Sequence, residues 1–404
     1  MVSVPLELQE RILDCLHEDI LTLKLCSFVC GAWRPTIKVH LFRKFRVLYD
    51  ADATLLDFSY CSRFALEVLH LADYIHEVEI QDGCGVLTDL PITDDGTLEA
   101  PALCTILDHT RSLQIFSISA FSGGSFGRVR AWRSILENVR ASLSSALDRS
   151  LDSLTHLFFH GFSFALADLD IFRGKQHLEY VGLEHTSFDH DDDEALPSPI
   201  PTDSSQVGRL HTLTFYFIFS DPSNGALVTA MSAVLADVSH IVNLRLGGII
   251  NASVLEALPL SWLTNLTHLG LELTNLNPTH PASPLSPAFA AKVPAFHALR
   301  TLELSLNIYP SADPHDLSGL EIILAKLFPP HRLDSIVTTV AAHGPPVYCA
   351  AVRRHYDFCR TRADVVKVRW EDGKRDYLQD VFPDLFTAGT MEVGNFRRLK
   401  WFSW

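Results

Sequence analysis

The sequence predicts an α/β protein in which a small N-terminal unit of three short helices precedes an irregular α/β solenoid with a parallel sheet. Three observations predict this fold class. Apolar residues at helical spacing form three short stretches within residues 1–47, and a short apolar pattern typical of a strand recurs nine times from residue 75 onward. Successive copies of that pattern begin on average about 32 residues apart, which is the period of a repeat array.

Composition and charge limit the classes of partner. The chain has 404 residues, of which 47% are hydrophobic and 20% charged, so a large core is expected. Its formal net charge of −15 repels phosphate backbones, which argues against a nucleic-acid partner. The eight cysteines form no CxxC pair, so neither a zinc site nor a disulfide framework is predicted. With no secretory signal or membrane-length apolar run, we expect reduced thiols and a location in the cytoplasm or nucleus.

The first 47 residues read as three helices. Pro5 suits the first turn of helix one, whose apolar face carries Leu8, Ile12 and Leu16. Asp19 is placed to cap the second helix. The apolar positions of that second helix are Leu21, Leu25, Phe28 and Val29. A third helix is predicted from about Trp33 to Phe45. So short a unit buries little surface by itself, so it either caps a larger fold or docks on a partner.

The same stretch resembles the F-box, a docking motif of substrate receptors in cullin–RING ubiquitin ligases. Positions that match the family pattern are Pro5, Leu8, Ile12, Leu13, Leu16, Leu25, Val29, Cys30 and Trp33. The chain departs from it at Val4, where leucine is usual, and at Gly31, where a basic residue is usual. The resemblance covers about a tenth of the chain and implies docking to a Skp-type adaptor. The contacts that it implies are Pro5, Leu8, Ile12, Leu16, Val29 and Trp33. Leu13 and Leu25 are expected instead in the core of the helical unit.

The recurring pattern has the form apolar, two residues, apolar, one residue, apolar. Its copies begin at Ile75, Leu113, Leu154, Leu178, Leu210, Ile241, Leu266, Leu299 and Leu333. This resembles the strand of a leucine-rich repeat in degenerate form, because only Asn275 falls at that family's asparagine position. An α/β domain with parallel strands and crossover helices is the alternative. The predicted divisions are residues 1–47 (F-box), 48–74 (helical linker), 75–345 (repeat array) and 346–404 (C-terminal cap).

A solenoid binds partners on the outward face of its sheet, so residues that alternate with the strand core are the candidates for target binding. Those singled out are His156, Phe158, Tyr180, Tyr216, Arg245, His268 and Glu272. Further outward positions include His160, Glu184, Asn243 and Glu303. Two insertions, 187–206 and 278–294, read as proline-rich loops between repeats. At the C-terminus, Trp401, Phe402 and Trp404 are expected to pack on the end of the array.

Signatures of catalysis are weak. The glycine-rich segment 123–127 lacks the lysine of a P-loop, and no G-x-S-x-G elbow occurs. The acidic run at 189–194 lacks EF-hand spacing, and His355 with Cys359 supplies only two potential metal ligands. We therefore expect no enzyme, cofactor or metal. The layout resembles that of fungal F-box and repeat proteins, and this resemblance implies a substrate-recruiting subunit whose repeat array binds a target protein. The alternatives are a repeat module that acts without ubiquitylation and an α/β enzyme with an unrecognised site.

Overall fold

A computed structural model describes most of the chain. The described residues are 5–16, 19–49, 60–67, 69–83, 87, 99–120, 129–189, 209–217, 223–235, 240–248, 250, 252–258, 265–273, 296–308, 324–325, 333–342, 349–371 and 375–394. The loop 278–294, the glycine-rich segment 123–127, Asn275 and the C-terminal aromatic residues Trp401, Phe402 and Trp404 lie outside them. Of the loop 187–206, only the first three residues are described.

The fold class is confirmed at the level of an α/β protein with a parallel sheet of fourteen strands in the described residues. The chain divides into two compact units, which are residues 1–164 with 170–180, and residues 165–169 with 181–404.

The first unit begins with three helices. Their bounds are α1 Leu6–Cys15, α2 Ile20–Val29 and α3 Arg34–Phe42. The carboxylate of Asp19 accepts a hydrogen bond of 3.0 Å from the backbone N–H of Thr22, which caps α2 as expected. α3 ends at Phe42, earlier than predicted, because a strand follows at once.

Strands and helices then alternate in the first unit. The strands are β1 Lys44–Tyr49, β2 Glu77–Asp82, β3 Ile115–Ser119, β4 Arg130–Ala131, β5 His156–His160 and β6 Phe162–Ala165. The α-helices are α4 Tyr60–Glu67, α5 Glu99–His109 and α6 Glu137–Arg149. β1, β2, β3 and β5 pair side by side in parallel, which aligns Val78, Phe116 and Leu157 in one buried row. β4 and a 3₁₀ turn at Trp132–Ser134 directly precede α6.

The second unit continues the alternation. Its strands are β7 Tyr180–Asp189, β8 Thr212–Phe217, β9 Asn243–Gly248, β10 His268–Leu273, β11 Thr301–Ile308, β12 Leu333–Ala342, β13 Ala363–Glu371 and β14 Met391–Gly394. The first residue of β7, Tyr180, still belongs to the first unit. Its α-helices are α7 Ser223–Val234, α8 Ala252–Glu256, α9 Cys349–Arg360, α10 Arg375–Val381 and α11 Pro383–Thr387. Neighbouring strands from β8 to β14 pair in parallel and in sequence order.

The core of the second unit follows the recurring pattern. Its register aligns Leu213, Leu244, Leu269, Leu302, Ile336 and Val366 in one row across six strands. All six side chains are buried. Since side chains alternate along a strand, the residues between them form the opposite, outward face of this sheet. Each of the nine predicted copies contains an observed strand, which begins at the same position or two residues later.

Candidate protein-binding surfaces

The N-terminal helices share a very small core. Leu13, Leu23 and Ile37 are buried together, and the partly buried Leu16 and Trp33 pack against them. The indole N–H of Trp33 donates a hydrogen bond to the side-chain oxygen of Gln9, which ties α1 to the start of α3. Leu16 and Trp33, both predicted adaptor contacts, therefore also support this core. Leu13 is buried as expected.

Several large apolar side chains of α1 and α2 are exposed instead. They are Leu8, Ile12, Ile20, Leu21, Leu25, Phe28 and Val29. Phe28 is 81% exposed and Val29 77%, while Pro5 is also exposed at the start of α1. Leu25 is 66% exposed, so its expected place in the core is wrong. A helix that is apolar around most of its circumference is normally buried. The contacts of α2 within the chain therefore leave much of its apolar surface uncovered.

Gly31 lies in the open, at the position where the family pattern has a basic residue. A β-carbon added there would meet no atom within 4 Å. Packing therefore does not require a glycine at position 31, and a larger side chain would fit there.

On the sheet of the first unit, three predicted target-binding residues form an aromatic cluster. The ring of Tyr180 stacks on His156 with 5.9 Å between centroids and lies 4.8 Å from the ring of Phe158. Phe158 is only 4% exposed and Tyr180 9%, because these rings cover one another. His156 is half-buried, so it is the member of this cluster with the most accessible side chain.

In the second unit, glycines let outward side chains meet across an intervening strand. The hydroxyl of Tyr216 on β8 donates a hydrogen bond of 3.0 Å to Glu272 on β10, with Gly247 of β9 between them. A β-carbon on Gly247 would lie 2.5 Å from Cδ2 of Tyr216, so the ring occupies the space that glycine leaves. In the neighbouring row, Arg245 lies 3.6 Å from Glu303. Gly270 separates those two residues on β10.

Two residues of β7 complete this group. His185 adopts a φ of 52°, which is uncommon for a residue other than glycine, and its ring stacks on Tyr216 at 4.7 Å. The pKa of Glu184 is raised to about 8, first by burial and then by the negative charge of Glu272. Glu272 itself is only 1% exposed. We call Glu184, His185, Tyr216 and Glu272 the carboxylate–tyrosine cluster.

Four of the seven predicted target-binding residues belong to the second unit. Of these four, Tyr216 and Glu272 are in direct contact, and Arg245 lies in the adjacent row. His268 is exposed at the start of β10 and is not part of the cluster. Sequence reasoning missed His185, since strict alternation would turn it inward. The glycines at the outward positions 247 and 270 were the available signal for close contacts across strands.

The pair His355 and Cys359 is buried between α9 and the sheet. The imidazole Nε2 lies 3.0 Å from the hydroxyl of Thr338 and 3.6 Å from Sγ of Cys359. No group of three or more potential metal ligands occurs among the described residues. Burial lowers the pKa of His355 to about 4, so the folded state holds a neutral imidazole.

Acidification is expected to destabilise the second unit through His355. With an ordinary pKa of 6.5, the unfolded chain takes up this proton as pH falls from 6.5 to 4, whereas the folded state does not. The contribution of His355 to the free energy of unfolding should be fully present above pH 6.5, and about 3 kcal/mol of it should be lost by pH 4. Urea unfolding of wild type and His355→Gln at each pH measures this difference. Since Glu184 titrates in both proteins, its contribution cancels. Parallel pH profiles of the two proteins would refute the assignment.

No model of a known protein family matches the chain, and no curated protein matches it.

Each helix in the described part of the chain is too short or too polar to cross a bilayer.

Proposed function

We propose that the protein is a substrate-recruiting subunit of a cullin–RING ubiquitin ligase. Residues 1–47 dock a Skp-type adaptor as an F-box, and the strands that follow form a degenerate leucine-rich-repeat solenoid whose outward face binds a target protein. The protein performs no chemistry in this role. It raises the effective concentration of target lysines beside the ubiquitin-charged enzyme.

The observation that carries this proposal is the exposure of seven large apolar side chains on α1 and α2. Burying one such side chain stabilises a complex by about 1.5–3 kcal/mol, so a partner that covers several of them gains substantial free energy. Leu8, Ile12 and Val29, which the F-box resemblance implies as contacts, are among the seven. Apolar helix faces laid against partner helices are a common mode of protein recognition.

The repeat reading is supported by the strand order of each unit. From β8 to β14, and from β1 to β3, consecutive strands are neighbours, helices connect many of them, and the same apolar positions fall in register. Helix-connected parallel strands of this kind also occur in α/β enzymes. We favour a binding module because the polar residues of the outward face are tied to one another, as Tyr216–Glu272 and Arg245–Glu303 are.

Reconstitution with purified adaptor and cullin tests the receptor role. We expect the full chain to elute with both proteins in gel filtration, and the variant Phe28→Asp to elute alone. Leu151→Asp is the matched control, because Leu151 is also an exposed apolar residue of the first unit but lies outside the three N-terminal helices. Elution with the adaptor but without the cullin would favour a binding module that acts without ubiquitylation. Elution with neither would contradict the proposal.

A further inference from the structure

The carboxylate–tyrosine cluster presents two kinds of surface side by side. His185 and Tyr216 form a stacked pair of rings with an interplanar angle of 18°, and both side chains are half-buried on the outward face. The half-buried carboxyl group of Glu184 belongs to the same strand as His185. Glu272 lies beneath, where its carboxylate holds the Tyr216 hydroxyl in place. A ligand would thus meet aromatic rings and a carboxyl group together.

The charge of this part of the face is negative. From β7 to β11 its described outward residues include three glutamates, Glu184, Glu272 and Glu303, and one cation, Arg245. Arg245 is paired with Glu303 at 3.6 Å, and the negative charge of Glu272 acts against ionisation of Glu184. A second cation beside Glu184 would relieve that repulsion. Charge complementarity therefore favours a basic ligand group.

We propose that this face binds an arginine side chain presented by the target protein, with the guanidinium stacked on the rings of His185 and Tyr216 and hydrogen-bonded to Glu184. This inference rests on the proposed target-binding role of the sheet. Arginine fits better than lysine for three reasons. Its planar guanidinium stacks on aromatic faces, and its paired N–H groups match a carboxylate. It is also more weakly hydrated, which lowers the cost of binding beside partly buried groups.

Binding should become tighter as pH rises. Because the pKa of Glu184 is about 8, this carboxyl group is mostly protonated at pH 7, and an arriving guanidinium must displace its proton. The charge that acts on this carboxyl group is that of Glu272. His185 is next to it on the same strand, and Tyr216, which stacks on His185, is on β8. Arg245 and Glu303 are farther along the sheet, on β9 and β11. The ionised fraction of Glu184 grows about tenfold between pH 7 and pH 9, and affinity should grow by the same factor.

Selection of peptides from a phage-displayed library of random dodecapeptides on the immobilised full chain tests this proposal. We expect arginine to be enriched at one position on the wild type, and the enrichment to disappear on the double variant Glu184→Gln/Glu272→Gln. The matched control is Glu77→Gln/Glu79→Gln, which neutralises two outward glutamates of the first unit that pair with Arg43, Lys44 and Arg46. This control should select the same peptides as the wild type.

The selected peptide is then titrated at pH 7 and pH 9. The wild type should bind it about tenfold more tightly at pH 9, Glu184→Gln should lose this pH dependence, and replacement of the peptide's arginine by lysine should weaken binding. Circular dichroism of each variant verifies that it is folded. Absence of arginine enrichment on the wild type, or equal enrichment on Glu184→Gln/Glu272→Gln, would overturn the proposal.

Adaptor binding by the same variants separates this inference from the receptor role. If arginine selection fails while the adaptor still binds, the recognition chemistry is wrong and the receptor role stands. If arginine selection succeeds but the adaptor does not bind, the face is a peptide-binding surface of a protein that is not a ligase receptor.

Discussion

Replacing Gly248 by alanine is expected to lower the free energy of unfolding of the second unit by at least about 3 kcal/mol. Gly248 ends β9 with a φ of +77°, a region that residues with a β-carbon rarely adopt. A β-carbon there would lie 1.9 Å from the carbonyl oxygen and 2.9 Å from the carbonyl carbon of Phe217. Both atoms belong to the backbone of the adjacent strand, so the clash is relieved only by moving β8 away from β9.

Urea unfolding followed by circular dichroism measures this loss, and Gly389→Ala is its matched control. Gly389 lies in the same unit and has a φ of +65°, but a β-carbon there meets no atom within 4 Å. The control should therefore show only the conformational cost of the left-handed region, about 1 kcal/mol. If both variants lost the same stability, the close packing of β8 against β9 would be disproved.

Truncation of Phe159 to alanine is expected to cost the first unit about 3–5 kcal/mol. Its ring is 1% exposed and lies 5.3 Å, between centroids, from each of Trp132, Phe164 and Phe172. Two further rings, those of Phe116 and Phe162, lie within 6.3 Å. Removing the ring deletes several edge-to-face contacts and leaves a cavity that rigid aromatic neighbours fill poorly.

Phe159→Leu serves as the graded control in the same unfolding experiment. Leucine keeps most of the apolar volume but none of the ring contacts, so it should cost about 1–2 kcal/mol. A loss below about 1 kcal/mol for Phe159→Ala would mean that these rings do not form a packed core.

The sequence pattern located the strands because the apolar spacing is set by the sheet itself. Residues such as Leu244 and Leu246 must face the core from one strand, while the start residue Ile241 is buried just before it. The pattern could not indicate how outward side chains meet. Those contacts depend on which residue of the neighbouring strand lies opposite, as the pairing of Tyr216 with Gly247 does.

Two errors have identifiable causes. The helix predicted from about Trp33 to Phe45 includes the first two residues of β1, although Phe45, Val47 and Tyr49 alternate with exposed residues as a half-buried strand does. Leu25 was placed in a helical core because an isolated sequence gives no reason to leave a large apolar residue in solvent. Its exposure, like that of Phe28, is consistent with the proposed adaptor contact of α2.

Calorimetric titration of a purified Skp-type adaptor into the full chain tests the central proposal most directly. Ile12 is 54% exposed on α1, and an aspartate there would place an unpaired charge in an apolar interface. If residues 1–47 dock the adaptor, wild type and the control Leu151→Asp should bind it equally, and Ile12→Asp should bind it at least about 100-fold more weakly, which corresponds to about 3 kcal/mol. A wild-type chain that does not bind the adaptor, or an Ile12→Asp variant that binds as tightly as wild type, would contradict the proposal.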